Sequence, residues 1–422
     1  MNTITGCPFH AAGAVDAAST AAESFKPYYR PELHAALEQQ RRHEPVFWSE
    51  EIGYWVLTRY EDVYAVLHDG QRFSARNTSL PVTPMHPDAL AILKEGGYAP
   101  TGAHSSLDGD VHRRIRGVTG QVLNLRDFIK LEPHIRSLVA EAMDRIDGKD
   151  DVDLLRDVNY ELPARVVFKL LGIPEADIPH VKKWAGMRSV IDFSPSTYEQ
   201  QIVGAKNMVA YWQYCSAMVH DRLKNPRDDF TSRILAIRNG DDSVMSLGEA
   251  TNHTFGVAFA GHETTTNQLT NTFRTLLQNP DQWQALCADP SLAANTVEEG
   301  MRYAGAVIGW RRTALEDVEF RGVKIPAGAR IMLSFASANR DEDVFENPHR
   351  FDIRRKNARK QLTFGNGVHF CLGAPLARLE MKIVFEEFAK RFPKMKLAQP
   401  DEARHMHTFV FRAPSALPVV LQ

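Results

Sequence analysis

No apolar run in this chain approaches the ~18 residues that a transmembrane helix needs, and residues 1–22 hold no apolar signal core. Charge of one sign is also lacking: 50 lysines and arginines face 52 aspartates and glutamates, a formal net charge of −2. Such a balance gives no field to draw nucleic acid or an anionic membrane. The expectation is a soluble, cytoplasmic protein with neither as partner. Cysteine is scarce. Cys7, Cys215, Cys287 and Cys371 form no CxxC pair and match no zinc spacing, and a cytoplasmic chain of 422 residues is a poor candidate for a disulfide framework. Internal repeats and low-complexity linkers are absent too. One domain is predicted over residues 1–422, mainly α with a minor β part, behind a poorly ordered lead-in over 1–25 that contains Cys7.

Cys215 and Cys287 read as small apolar residues in helices. Cys371 differs, because it closes the loop Phe364-Gly365-Asn366-Gly367-Val368-His369-Phe370-Cys371-Leu372-Gly373, and a helix from Ala374 follows at once. A sulfur at a helix N-terminus faces unsatisfied N–H groups and the positive end of the dipole. This predicts a lowered thiol pKa and a metal ligand or nucleophile.

The rest of the chain supplies further pieces. Strands are predicted around Pro45–Trp48 and Tyr54–Leu57, and a hairpin at Arg321-Gly322. The prolines at 81, 84 and 87 predict an irregular segment within 70–105, either a substrate-covering loop or a plain connection. His112 and Arg116 share one helix face, a clamp for a carboxylate or phosphate or a plain solvated face. Ser246-Leu247-Gly248-Glu249 fits a capping box and Asn279-Pro280 a stop, which predicts one helix of about 30 residues, roughly 45 Å long. In its middle stand Ala260-Gly261-His262-Glu263-Thr264-Thr265. The small residues allow close approach of a flat group or of another helix, and the threonine hydroxyls can bond the preceding turn and bend the helix. Glu299 and Arg302 share a face of a later helix.

Together these motifs resemble the cytochrome P450 family over nearly the whole chain. Phe364, Gly365, Gly367, His369, Cys371 and Gly373 match its haem-binding pattern, residues 260–265 its oxygen-activation motif, and Glu299/Arg302 its ExxR element. The resemblance implies the cytochrome P450 fold and haem b with Cys371 as axial iron ligand. A thiolate in that position pushes electron density toward the iron and favours O–O cleavage. It further implies Thr264 and Glu263 as catalytic proton donors and relay. Ala260 and Gly261 leave room over the ring, and His112, Arg116, Arg312 and His369 meet the propionates. Arg312 is preferred to Arg311 because it fits Arg-x-Ala. Arg354 or Arg350 is expected to complete the Glu299/Arg302 network.

The implied activity is insertion of one oxygen atom from O2 into a small or medium apolar or aromatic organic substrate, by hydroxylation or O-dealkylation. Electrons come ultimately from NAD(P)H, through a ferredoxin or a fused reductase. Gly6-Cys7-Pro8-Phe9-His10 and residues 260–266 resemble a subgroup whose haem domain is fused to a flavin and iron–sulfur reductase, so the chain reads as either a standalone enzyme or an excised domain. Arg113, Arg114, Arg378 and Lys382 are expected on the docking face of an acidic redox partner. Expected pocket walls are residues 80–85, 190–193, 255–259, 306–309 and 407–409, with no carboxylate clamp. Two alternatives use the same haem: a peroxide-driven peroxygenase, which the Glu263-Thr264 pair disfavours, and a non-enzymatic sensor, which lacks an output segment.

Overall fold

The computed structural model describes residues 33–399, 405, 408 and 410–421. The expected lead-in, Cys7 and the pocket-wall residues His407 and Phe409 lie outside them. Among the described residues the helices are α1 Leu33–His43, α2 Tyr60–His68, α3 Pro87–Glu95, α4 Gly109–Val122, α5 Leu125–Ile129, α6 Glu132–Ile146, α7 Leu162–Leu171, α8 Ile178–Phe193 and α9 Tyr198–Lys224. They continue with α10 Phe230–Arg238, α11 Leu247–Ala260, α12 Glu263–Gln278, α13 Pro280–Ala288, α14 Ala293–Tyr303, α15 Phe335–Ala338 and α16 Ala374–Arg391. None is long and apolar enough to cross a membrane. The helical mass packs on one large core that includes Phe128, Phe168, Phe273, Phe385 and Phe388.

The strands gather early and late parts of the chain, as expected. β1 Val46–Ser49 pairs antiparallel with β2 Tyr54–Leu57, and β2 runs parallel to β8 Arg330–Leu333. β8 then pairs antiparallel with β5 Trp310–Ala314, and β5 with β3 Phe73–Ser74. Their apolar face packs with α2 around Val63, Leu67, Ile331 and Leu333. The predicted hairpin joins β6 Val318–Phe320 to β7 Val323–Ile325, and its two turn residues both have positive φ, 52° at Arg321 and 82° at Gly322. That combination is the turn whose twist suits a tight hairpin. Near the C-terminus, β10 Pro418–Val420 lies between β4 Val152–Asp153 and β9 Lys396–Leu397.

Three expectations are corrected. The proline-rich stretch is irregular over 77–86, but Pro87 begins α3. A proline at the first helical position lacks only an N–H that would be unpaired anyway. The single helix predicted over 246–279 starts with the predicted capping box, yet breaks after Ala260 and resumes at Glu263. The third correction concerns the Glu299 network, which neither Arg354 nor Arg350 completes with its side chain. Arg355 does so, with Nε 3.2 and 3.1 Å from the two Glu299 oxygens. A turn closed by Arg355 N donating to Asp352 O brings residue 355 back to the core, while Arg354 points outward. Arg350 contributes its carbonyl, which accepts from both Arg302 and Arg355.

Arg302 is 1 % exposed and Glu299 0 %. The guanidinium donates twice to Glu299, at 2.7 and 2.8 Å, and to the carbonyls of Asn339, Pro348 and Arg350 at 2.9–3.1 Å. The Asp352 N–H also donates to Glu299, at 2.9 Å. A buried charge pair is tolerated when its remaining donors and acceptors are satisfied. A lysine here has three donors on a point charge and no planar fork. Arg302→Lys is therefore expected to cost about 3–5 kcal/mol, seen as a lower thermal midpoint and a lower yield of haem-loaded protein. An unchanged midpoint would remove the brace from this role.

Glu380 on α16 is the opposite case. It is 2 % exposed, Oε1 has no hydrogen-bond partner among the described residues, and burial pushes its carboxyl up to about 8. The folded protein thus holds a proton there that the unfolded chain releases near the ordinary carboxylate range. Stability from this group falls as pH rises from about 4.5 to about 8, by up to about 1.4 kcal/mol per pH unit, and is flat above. Glu380→Gln should raise the thermal midpoint more at pH 8 than at pH 5. A pH-independent difference between variant and parent would contradict a buried neutral acid.

Candidate active site

Gly365 and Gly367 turn the loop ahead of α16 with φ of 70° and 68°. At Gly367 a Cβ would lie 2.2 Å from the Leu67 carbonyl oxygen, so the loop passes α2 only with glycine there. Gly373 keeps a right-handed conformation, and a Cβ there would make only an ordinary contact, 3.8 Å, with the Cys371 sulfur. The Cys371 N–H donates to Phe364 O at 3.0 Å, and Arg378 lies over the Phe364 ring at 4.5 Å.

Cys371 lies deep in the protein yet keeps accessible surface, because what it exposes is the wall of an internal cavity. Burial raises the thiol pKa, and the N–H groups of Gly373 and Ala374, with Arg116 and Arg378, offset this only in part. The predicted net lowering is therefore corrected. The helix terminus acts in the expected direction, and desolvation outweighs it.

The broken helix lines the same cavity. Ala260 is exposed to the cavity, and Gly261, Glu263 and Thr264 line it. The break is held by side chains: Thr264 Oγ1 donates to Ala260 O at 3.1 Å, and His262 Nδ1 contacts Ala258 O at 2.8 Å. A carbonyl can only accept, so Nδ1 carries a proton. His262 Nε2 then faces Glu263 Oε1 at 3.3 Å. That contact is favourable when one proton lies between them, on the imidazolium or on the carboxyl.

Arg116, Arg312 and His369 line it as well. His112 stands behind them, 3 % exposed, its ring 4.2 Å from His369 and its Nε2 without a partner among the described residues. Burial lowers the pKa of Arg116, of Arg312 to about 10 and of His369 to about 3. Arg116 donates to Phe370 O at 2.5 Å and His369 Nδ1 contacts His104 O at 3.1 Å. Strand alternation separates the two adjacent arginines. Arg312 faces the cavity, while Arg311 turns away and donates to the Thr78 and Leu80 carbonyls. Glu299 and Arg302 do not line the cavity; they brace it from outside.

These donors fit an iron porphyrin. One sulfur is available as a single axial ligand, and no cluster of three His, Cys, Asp or Glu side chains among the described residues could hold a bare ion. Apolar walls such as Phe364 and Leu372 suit a flat macrocycle, and the buried cations with the orphaned His112 Nε2 suit two carboxylates.

Beyond the break the cavity continues between Phe193, Val257, Phe259, Val307, Trp310 and Phe411. Residues 193, 256, 257, 259, 306 and 307 of the expected walls are among its lining, whereas Ala258 is buried, Leu80 is 55 % exposed elsewhere and Thr408 is buried. Sequence reasoning missed His104, Trp310, Phe411 and Arg188. The expected partner-docking cations are each matched by a carboxylate: Arg113 by Asp110, Arg114 by Glu249, Arg378 by Glu298 and Lys382 by Glu386.

The cytochrome P450 family model matches residues 178–417. Erythromycin C-12 hydroxylase of Saccharopolyspora erythraea is 34% identical over 379 residues, 89% of this chain and 91% of that protein. The solved structure of cytochrome P450 CREJ in complex with (4-ethylphenyl) dihydrogen phosphate has 36% sequence identity and a TM-score of 0.89, covering 92% of this chain and 97% of that one. An intact type IV self-sufficient cytochrome P450 monooxygenase has 34% identity and a TM-score of 0.91, covering 96% of this chain and 53% of that one. With a thiol at a helix start, a broken helix lining the same cavity and relatives of this identity and coverage, the chain belongs to the cytochrome P450 family of haem monooxygenases.

Proposed function

We propose that residues 1–422 act as one monooxygenase domain that inserts an oxygen atom from O2 into a small or medium, largely apolar or aromatic organic substrate, by hydroxylation or O-dealkylation. The observation that supports this reading is that Cys371, Glu263 and Thr264 line one cavity. The haem, held by Cys371 and by His112, Arg116, Arg312 and His369, supplies the reductive activation of O2. One turnover takes two electrons and two protons and yields oxidised substrate and water. The electrons come from NAD(P)H through a ferredoxin or a fused reductase, the second being the arrangement suggested by the self-sufficient structural neighbour.

The protons pass through the chain's own side chains. The Thr264 hydroxyl stands at the cavity wall, anchored to Ala260 O. Glu263 is 5 % exposed, lines the same cavity and has Oε1 3.3 Å from His262 Nε2. Positioned acids of this kind contribute about 10²–10⁴-fold. Phe193, Phe259, Val307 and Phe411 exclude water from the substrate end and present an apolar surface to it. The aromatic ligand of the solved neighbour is consistent with an aromatic body here.

Reduced protein under carbon monoxide should show the strongly red-shifted Soret band of a thiolate ligand. Cys371→His should move it to the histidine-ligated position, and a parent band already there would defeat the proposed ligation. Thr264→Ala should lower product formed per NAD(P)H consumed by about tenfold or more while NAD(P)H consumption continues. Product yield unchanged per electron would exclude Thr264 from proton delivery.

A further inference from the structure

Arg188, on α8, lines the substrate end of the cavity and is 8 % exposed. Its guanidinium lies between two rings, with Cζ 4.7 Å from the Phe255 centroid and 4.6 Å from that of Phe259. This sandwich fixes the plane of the fork. Nε donates to Asp192 Oδ2 at 3.1 Å, one turn along the same helix. Nη1 is buried with no partner among the described residues. A buried cation with donors left over is costly unless something supplies acceptors.

The local charge does not cancel. Asp192 is 5 % exposed and feels both Arg188 and Arg311, whose guanidinium lies 5.3 Å from the Phe193 ring centroid. Two guanidinium groups and one carboxylate leave one positive charge in excess. Tyr98 and Tyr211 also face this cluster, with phenol pKa values raised, to about 12 for Tyr98, chiefly by burial. They add no negative charge at neutral pH. Around it the cavity wall is apolar: Val257, Phe259, Val307, Trp310 and Phe411.

We infer that the substrate is a monocarboxylate with an apolar, aryl-sized body, and that Arg188 holds its carboxylate. The inference rests on the monooxygenase reading above. One excess positive charge suits a singly charged head group. The end of the guanidinium opposite Nε offers two donors in the geometry a carboxylate accepts. Phe259, against the Arg188 guanidinium, and Thr264 flank the helix break and line the same cavity. Asp192 positions Arg188 and competes with the ligand for it.

Haem-loaded protein should be titrated with 4-ethylbenzoate and with 4-ethylbenzamide, following the ferric low-to-high-spin shift and, independently, the heat of binding. The carboxylate should bind at least about tenfold more tightly than the amide, the size of one charge-assisted hydrogen bond. Arg188→Gln should erase the preference and Arg188→Lys should keep part of it. Asp192→Asn should tighten carboxylate binding several-fold, an effect that a merely structural ion pair would not produce. A carboxylate that binds no better than the amide, absence of binding included, would overturn the inference. So would a preference that survives Arg188→Gln, or an Asp192→Asn variant that binds the carboxylate more weakly. Failure of the haem-thiolate reading would appear separately, in the carbon monoxide band, and would leave the calorimetric preference readable.

Discussion

A sulfur that must become an anion inside an apolar protein sets the terms for this structure. Desolvation pushes the Cys371 thiol up, and two backbone N–H groups with Arg116 and Arg378 offset only part of that. An iron ion in the proton's place would resolve the conflict, since a coordinating thiol is deprotonated outright. The loop must then hold the sulfur still, and its rigidity comes from a chain of contacts that begins at Glu299. Arg302 fixes the Asn339 carbonyl, and the Asn339 side chain in turn accepts from Leu362 N at 2.7 Å and donates to Thr363 Oγ1 at 3.0 Å. Those two residues lead straight into Phe364. The Glu299/Arg302 ion pair therefore anchors the entrance of the cysteine loop from the core side.

The broken helix solves a different problem. A helix passing over a reacting centre must give up regular backbone bonding to make room, and the lost bonds need replacements. Thr264 and His262 provide them by returning to the Ala260 and Ala258 carbonyls. The same two side chains are thereby oriented for chemistry. Thr264 is held at the cavity surface, and His262 has its Nδ1 proton committed, which turns Nε2 toward Glu263. One imidazole thus repairs the helix with Nδ1 and faces the acid with Nε2.

How much of this was legible in the sequence follows how local each signal is. The cysteine loop, the acid–threonine pair and the Glu299/Arg302 spacing are short local motifs; residues of the first two line one cavity, and the third is a buried ion pair. The helix break was not anticipated, because a capping box at Ser246 and a stop at Asn279 mark the ends of a helix and say nothing of its middle. Arg355 was missed in favour of Arg354 or Arg350, since three arginines in an irregular segment cannot be ranked without knowing where the turn at Asp352 closes. The direction of the Cys371 shift was misjudged for a related reason: a helix terminus is a local feature, burial a tertiary one. Arg188 left no trace, because an arginine with an aspartate four residues later looks like an ordinary solvated pair on an exposed helix face.

Seen as charges, the cavity has two ends that share one logic. Among the described residues, at one end His112 Nε2 lacks a partner and the pKa values of Arg116 and Arg312 are pressed down by burial; at the other Arg188 keeps Nη1 unpaired. Each such group costs about 1–3 kcal/mol when left without an acceptor, more where it is charged. A protein whose whole margin is about 5–15 kcal/mol does not carry several of them without compensation. The acids of a bound cofactor supply acceptors at the first end. By the same reasoning an acid supplies them at the second, so that ligand binding and the electrostatic completion of the fold become one event. This also separates the two occupants. The cofactor end presents several cations to more than one negative charge, whereas the substrate end, where Asp192 already meets Arg188 and Arg311, has room for a single one.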